Sequence, residues 1–446
     1  MKLNGRHLLA LVAASILAAL IALLLIRPQA AAPTADGDPT SIEPIHDVPG
    51  IPVVDPVPWA AVEWLSLEDP VSPDQPPIMR IDAMVDGGEL VLGWGRAATP
   101  NRNQFNDMGA VFVSRDGRSW RTALIENGVD EVNTSELNGV AVGPRGYLAY
   151  GGVCCEPEAR ALWHSTDGLE WVRLEIDGDL DPTDVYFAAI VGVEGGWVAI
   201  GNTIDGQQGQ LWTSEDGSNW ELIDGDQAGL ASATLSDLAV GADGLVAVGT
   251  VDGQDGTYDG GIWTSADGRS WQRVGADDPV LAGGGETQLH GVIAHAGGLF
   301  VTGLYGSTED RQKCEQLGLA AADLRPPRTA FSCASGTEHH WVLRDGHAWE
   351  RMDPMQAPGE HPIEFRVVVA GGPGLIVLGE SSPPASPDTA LFSSSDGRQW
   401  TALRPRQPVA NGVAIGLVVR ERQLLAVTGH FDGAQDAVRF WLGSAN

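Results

Sequence analysis

The sequence predicts an all-β protein: a seven-bladed β-propeller closed by an N-terminal strand and preceded by one transmembrane helix or signal peptide. Three observations carry that reading. An Asp-Gly turn motif recurs six times with a period near 50 residues. Short apolar runs flank each copy. Gly, at 57 of 446 residues, is nearly twice its usual share of about 7%, as a chain of many turns requires. A period of that length, with Asp-Gly between alternating runs, marks propeller blades.

The N-terminal element is residues 1–27. Lys2 and Arg6 precede Leu8–Ile26, a run of 19 residues that carries no charge and is apolar except for Ser15. At about 1.5 Å per residue it just crosses a hydrocarbon core of roughly 30 Å. It exceeds the usual signal-peptide core of about 7–15 residues, yet Ala30, Ala31 and Ala32 offer a small-residue cleavage site. An uncleaved signal anchor and a cleaved signal peptide both stay open. Either way the two basic residues place residues 28–446 outside the cytoplasm. Residues 28–58, rich in Pro, Ala and Asp, read as a semi-rigid spacer.

The blades follow. The motifs are SRDGRSW (Ser114–Trp120), STDGLEW (Ser165–Trp171), SEDGSNW (Ser214–Trp220), SADGRSW (Ser265–Trp271), LRDGHAW (Leu343–Trp349) and SSDGRQW (Ser394–Trp400). Their aspartates are Asp116, Asp167, Asp216, Asp267, Asp345 and Asp396, spaced 51, 49, 51, 78 and 51 residues apart. The 78 marks an insertion in blade 5, over about 307–338, that holds Cys314 and Cys333. In each unit one apolar run ends in a Gly turn and a second ends in Gly. A third leads into Asp-Gly and a fourth. Asp-Gly between such runs signals a hairpin, so each unit supplies four antiparallel strands.

The chain ends supply the seventh blade. Asn411–Ile415, Leu424–Gly429 and Val438–Leu442 match the first three strands of a blade, and no fourth follows. The fourth stands at the other end, where Val62–Glu68 aligns with Leu169–Glu175. Pairing it with Val438–Leu442 leaves no open edge. The propeller spans 59–446.

Composition excludes several function classes. Basic residues number 27 against 59 acidic, a net charge of −32; that field repels phosphate backbones, so nucleic acid is excluded as a partner. Hydrophobic content of 43% excludes general disorder. Without a P-loop, Gly-x-Ser-x-Gly or His-Glu-x-x-His motif, no cofactor or metal is expected. Asp252, Asp255 and Asp259 lack the spacing of a calcium loop, and His339-His340 reads as a surface pair. In an exported chain Cys314 and Cys333 are expected to be bridged, while the redox state of Cys154 and Cys155 stays open.

The six strings resemble the Asp-box, or bacterial neuraminidase repeat, of sialidase-like propellers. The usual form is Ser-x-Asp-x-Gly-x-Thr-Trp; here one residue between Asp and Gly is absent in all six copies. The motif itself is a structural hairpin, in which Asp accepts backbone N–H bonds, Gly supplies positive φ and Trp fills the blade core. Trp64 serves as the seventh such anchor. The resemblance extends to Met79-Arg80-Ile81-Asp82, where sialidases carry Arg-Ile-Pro, with Asp in place of Pro. It implies that Arg80 binds a substrate carboxylate and that Asp107 is the general acid/base, with Tyr186 as a conceivable nucleophile.

A ligand site is expected at the channel mouth. Counting back eight residues from the glycine that closes each first hairpin gives Arg80, Asn138, Ala188, Ser236, His290 and Arg366, with Asn411 equivalent in the last blade. Arg80, Asn138, His290 and Arg366 are the candidate ligand contacts, for an anionic group such as an acidic sugar. Pairing with neighbouring carboxylates is the competing role for the arginines. The expected function is a non-catalytic binding or scaffold module for a protein or anionic glycan, monomeric, and either anchored at the membrane or secreted. Sialidase-like glycoside hydrolysis is the alternative.

Overall fold

The structure, a computed structural model, describes residues 59–67, 70–98, 107–125, 135–153, 159–204, 208–223, 229–230, 232–253, 257–282, 285–307, 337–344, 348–354, 363–381, 390–405, 413–431 and 436–446. The Leu8–Ile26 run, the four cysteines, Asp255, Asp345, Asn411 and the body of the blade 5 insertion (308–336) lie outside them.

Seven blades of four antiparallel strands are present. Their first strands are Ile78–Asp86, Ser135–Gly143, Val185–Val193, Ala233–Gly241, Gly285–His295, Ile363–Gly371 and Val413–Arg420. Each touches the first strand of the next blade, and Val413–Arg420 touches Ile78–Asp86, so the ring is closed. The fourth strand of blade 7 is Ala61–Leu67. It pairs antiparallel with Asp436–Ala445, from Val62↔Ala445 to Leu67↔Phe440. The pairing reaches three residues beyond the expected Leu442, because that strand continues to Ala445. Ala61 and Val62 also pair in parallel with Arg404 and Pro405 of blade 6, which joins blades 6 and 7 into one eight-stranded sheet.

The core lies in the seams between blades. Clusters of buried side chains span blades 1 and 2, 2 and 3, 3 and 4, 4 and 5, 5 and 6, 6 and 7, and 7 and 1. Of the seven turn tryptophans, Trp120, Trp220, Trp271, Trp349 and Trp64 are buried, while Trp171 and Trp400 are half-buried. A second aromatic position accounts for four more of the 15 tryptophans. Two residues before each turn serine, on the third strand, stand Phe112, Trp163, Trp212, Trp263 and Phe392, all buried; Trp341 holds the same place in blade 5. Each buried aromatic removes roughly 150–250 Å² from water, so two per blade fill a seam that aliphatic side chains alone would leave loose.

The two ends of the propeller differ. Two-residue hairpins close the first strand pairs, as at Gly143↔Gly146, Gly241↔Gly244 and Arg420↔Gln423. The Asp-Gly turns emerge at that same end. Among the described residues, the strand ends that flank the longer connections, Ser307 and Thr337 among them, lie at the opposite end.

Candidate functional site

The innermost strands carry an irregularity that recurs in all seven blades. A β-bulge leaves one residue unpaired: Asp82, Asn138, Ala188, Ser236, His290, Arg366 and Ile415. Asp82, Asn138, His290 and Arg366 are exposed, and the other three are half-buried. A bulge re-aims side chains and raises local twist. Here it lies towards the start of each first strand, near the end from which the long connections leave.

Five of the expected positions are bulged residues, and two are corrected. In blade 1 the bulged residue is Asp82, not Arg80, because Gly87 N donates to Leu90 O (2.8 Å) to close that hairpin and Gly88 lies inside it. In blade 7 the equivalent is Ile415, not Asn411, because Gln423 holds the place of the closing glycine. Arg80 stands two residues before its bulge. The same offset gives Glu136, Tyr186, Thr234, Gln288, Glu364 and Val413 in the other blades, acidic members that a search for cations passes over.

The arginines are ion-paired. Arg80 Nε lies 2.7 Å from Asp82 Oδ1, and Arg80 Nη2 reaches Glu136 Oε1 of blade 2 at 3.6 Å. Arg366 Nη2 lies 2.9 Å from Glu364 Oε2. Beside this second pair sits Glu338, on the third strand of blade 5. Burial, reinforced by the nearby Glu364 charge, raises its carboxyl to about 7. A hydrogen bond from the Phe365 N–H and the Arg366 charge act in the opposite direction and lose. The mouth therefore holds carboxylates and guanidiniums in close alternation.

The residues implied by the sialidase resemblance are spread out. Arg80, Tyr186 and Arg366 belong to blades 1, 3 and 6. Tyr186 Oη accepts a bond from Asn202 Nδ2 at 3.2 Å. Asn202 is fully buried and also exchanges two bonds with Leu235 of blade 4, at 2.7 and 2.8 Å. This ties Tyr186 to an inter-blade lock. Among the described residues no carboxylate bonds its hydroxyl. Asp107 opens the third strand of blade 1, two strands outward from Arg80, or roughly 10 Å at the usual strand spacing.

At the opposite end the turn aspartates hold their own hairpins. Asp116 Oδ1 accepts from Arg118 N (2.8 Å) and Ser119 N (2.9 Å), while Ser114 Oγ accepts from Gly117 N (2.9 Å). The same bonds recur at Asp167, Asp216, Asp267 and Asp396. The turn glycines have φ of 69–84°, a left-handed backbone that glycine adopts without strain. At Asp116, Asp167 and Asp216 these backbone N–H bonds hold the carboxyl below its ordinary range.

The histidine pair is not a surface pair. His340 is buried, its Nε2 lies 3.1 Å from Gly397 O of blade 6, and Phe300 and Phe365 stack around it at 5.0 and 5.4 Å. Burial lowers its pKa to about 4, so it is a neutral inter-blade strut.

No known family's sequence profile matches the chain, and no curated protein does. Several solved structures are similar at a distance. The propeller domain of the Trilobed protease from Pyrococcus furiosus shares 10% identity, with 81% of this chain and 94% of that one covered, at a TM-score of 0.46. The α-L-arabinofuranosidase Arb93A from Fusarium graminearum shares 10%, covering 86% and 97%, at 0.38. The GH32 β-fructofuranosidase BmSUC1 of Bombyx mori shares 13%, covering 85% and 92%, at 0.31. Likenesses this distant leave ligand and chemistry to be argued from the chain's own residues.

Proposed function

We propose that the chain is an exported binding propeller, held at the envelope by Leu8–Ile26 or released after it, that takes a glycan or protein partner at the long-connection end. One observation carries this reading. The bulged residues Asp82, Asn138, Ala188, Ser236, His290, Arg366 and Ile415 differ in chemical type while the turns at the other end repeat. Variation among otherwise repeated units is where a specific site can be built. Because Arg80 and Arg366 are already matched by Asp82, Glu136 and Glu364, the mouth offers interleaved donors and acceptors. That suits the hydroxyl groups of a sugar better than a bare anion. The test is a glycan array followed by titration of the full chain and of Arg80→Ala and Arg366→Ala. Each variant is expected to weaken binding by about 2 kcal/mol or more, as for a truncated charge-assisted contact. Wild-type affinity in both would move the site away from the mouth.

A second reading, a glycoside hydrolase, draws on Glu338. A carboxyl raised to about 7 beside a second carboxyl, Glu364, that is ion-paired to Arg366 is the kind of pairing that acid-base hydrolysis of a glycosidic bond uses. Fluorogenic glycosides separate the readings: turnover that Glu338→Gln abolishes supports hydrolysis, and none across a broad panel supports binding alone.

A further inference from the structure

The seam closed by Ala61–Leu67 departs from a rule that two other seams keep. Arg118, Arg269 and Arg398 each follow the turn glycine of their blade. Arg269 Nη1 lies 2.6 Å from Glu221 Oε2, and Arg398 Nε 3.2 Å from Glu350 Oε2. Both glutamates directly follow the turn tryptophan of the preceding blade, Trp220 and Trp349. In blade 7 that tryptophan is Trp64, and the next residue is Leu65, 52% exposed. Arg118 thus shares its groove with an aliphatic side chain at the position where its counterparts have a carboxylate. Among the described residues its guanidinium has no ion pair and no hydrogen bond.

The surroundings form a groove of about 740 Å³, lined by Leu65, Ser66, Ser72, Arg118, Ser119 and Arg121. Residues 70–72 make one wall, pinned by the Val71↔Trp120 bridge and by Trp120 N donating to Pro70 O at 2.9 Å. Two arginines and three serines share this groove with one exposed leucine. In a chain of net charge −32, a guanidinium with no carboxylate partner among the described residues is out of keeping with its surroundings. Arginine's planar fork fits an oxyanion, and serine hydroxyls supply further donors.

We propose that this seam is an oxyanion-binding site, for a carboxylate or phosphate carried beside an apolar group that packs on Leu65. It lies among the fourth strands, on the outer wall of the propeller, and is independent of the channel mouth.

The internal rule supplies the test. Calorimetric titration of the full chain with inorganic phosphate, acetate and N-acetylleucine is expected to show saturable binding, tightest for N-acetylleucine if the apolar wall contributes. Arg118→Gln should weaken it by about tenfold or more. Leu65→Glu should do the same by installing the carboxylate found in the other two seams, with no loss of melting temperature. The exposed side chains of these variants leave folding intact, which circular dichroism checks. Unchanged affinity in Leu65→Glu, or no saturable binding by any probe, would overturn the proposal. So would binding that arises only in a Glu68→Gln/Asp69→Asn variant, since the two acids that follow Leu67 would then be the native partners of Arg118.

Discussion

Single carboxylates and one imidazole set much of this protein's response to mutation and pH. Asp216 accepts N–H bonds from Ser218 (2.8 Å) and Asn219 (2.9 Å), and nothing else in the turn can replace that acceptor. Asp216→Ala is expected to cost about 1–2 kcal/mol in urea unfolding, and Asp216→Asn less, because it keeps an oxygen in place. Because the folded carboxyl sits below its ordinary value, this stabilisation is present at neutral pH and fades as pH falls through the acid range. His340 and Glu338 give two larger slopes of opposite sign. His340 titrates at about 4 in the fold against an unfolded value of 6.5, so its contribution declines as pH drops from 6.5 towards 4. Glu338 titrates at about 7 in the fold against 4.5 unfolded, so it destabilises increasingly as pH rises from 4.5 to 7. Each is worth roughly 3 kcal/mol over its window, and between pH 4.5 and 6.5 they nearly cancel. Glu338→Gln should remove one slope: the variant gains on the wild type as pH rises from 4.5 to 7, by roughly 3 kcal/mol, read from urea midpoints at each pH. A constant difference across that range would show that Glu338 is not held protonated.

The strands explain why so much of the site could be read in advance and why parts could not. The count of eight residues finds the bulge in five blades because each of their first hairpins closes on a glycine at the same offset. It misses Asp82 and Ile415, where Leu90 and Gln423 occupy that place. The Trp excess was legible only in part, because the turn tryptophans share a motif and the third-strand aromatics alternate between Trp and Phe. Arg366 pairs with Glu364 two residues earlier, while Arg80 pairs with Asp82 two residues later and with Glu136 of blade 2, relations visible only once the bulge is known. Opposite the bulges stand glycines, among them Gly151 and Gly249. A Cβ at Gly151 would collide with the Glu136 carbonyl, and one at Gly249 with the Thr234 carbonyl. Gly249→Ala, although a small change, should therefore force the first two strands of blade 4 apart and cost about 1–3 kcal/mol. Thermal melting checks this; an unchanged midpoint would mean the strand relaxes freely.

Across the whole ring, stability rests on seams rather than on a central core, so an open seam is costly. Removing residues 59–67 exposes the edge of Asp436–Ala445 and uncovers the cluster around Leu378, Leu424 and Trp441. The shortened chain should melt lower and aggregate, as light scattering during a thermal ramp would reveal; a soluble protein with an unchanged midpoint would argue that the other six seams suffice. The same strand pairing sets the timing of folding. Val62 pairs with Ala445, so the strand Ala61–Leu67 waits for Asp436–Ala445, the last strand of the ring, to be made. The entropic cost of so large a loop rises only with the logarithm of its length, and so falls on rate more than on stability. Until Asp436–Ala445 is made, every blade can form except the one that locks the circle. A premature stop near the C-terminus would thus leave two orphaned strands at opposite ends of the chain, each a template for a neighbouring molecule.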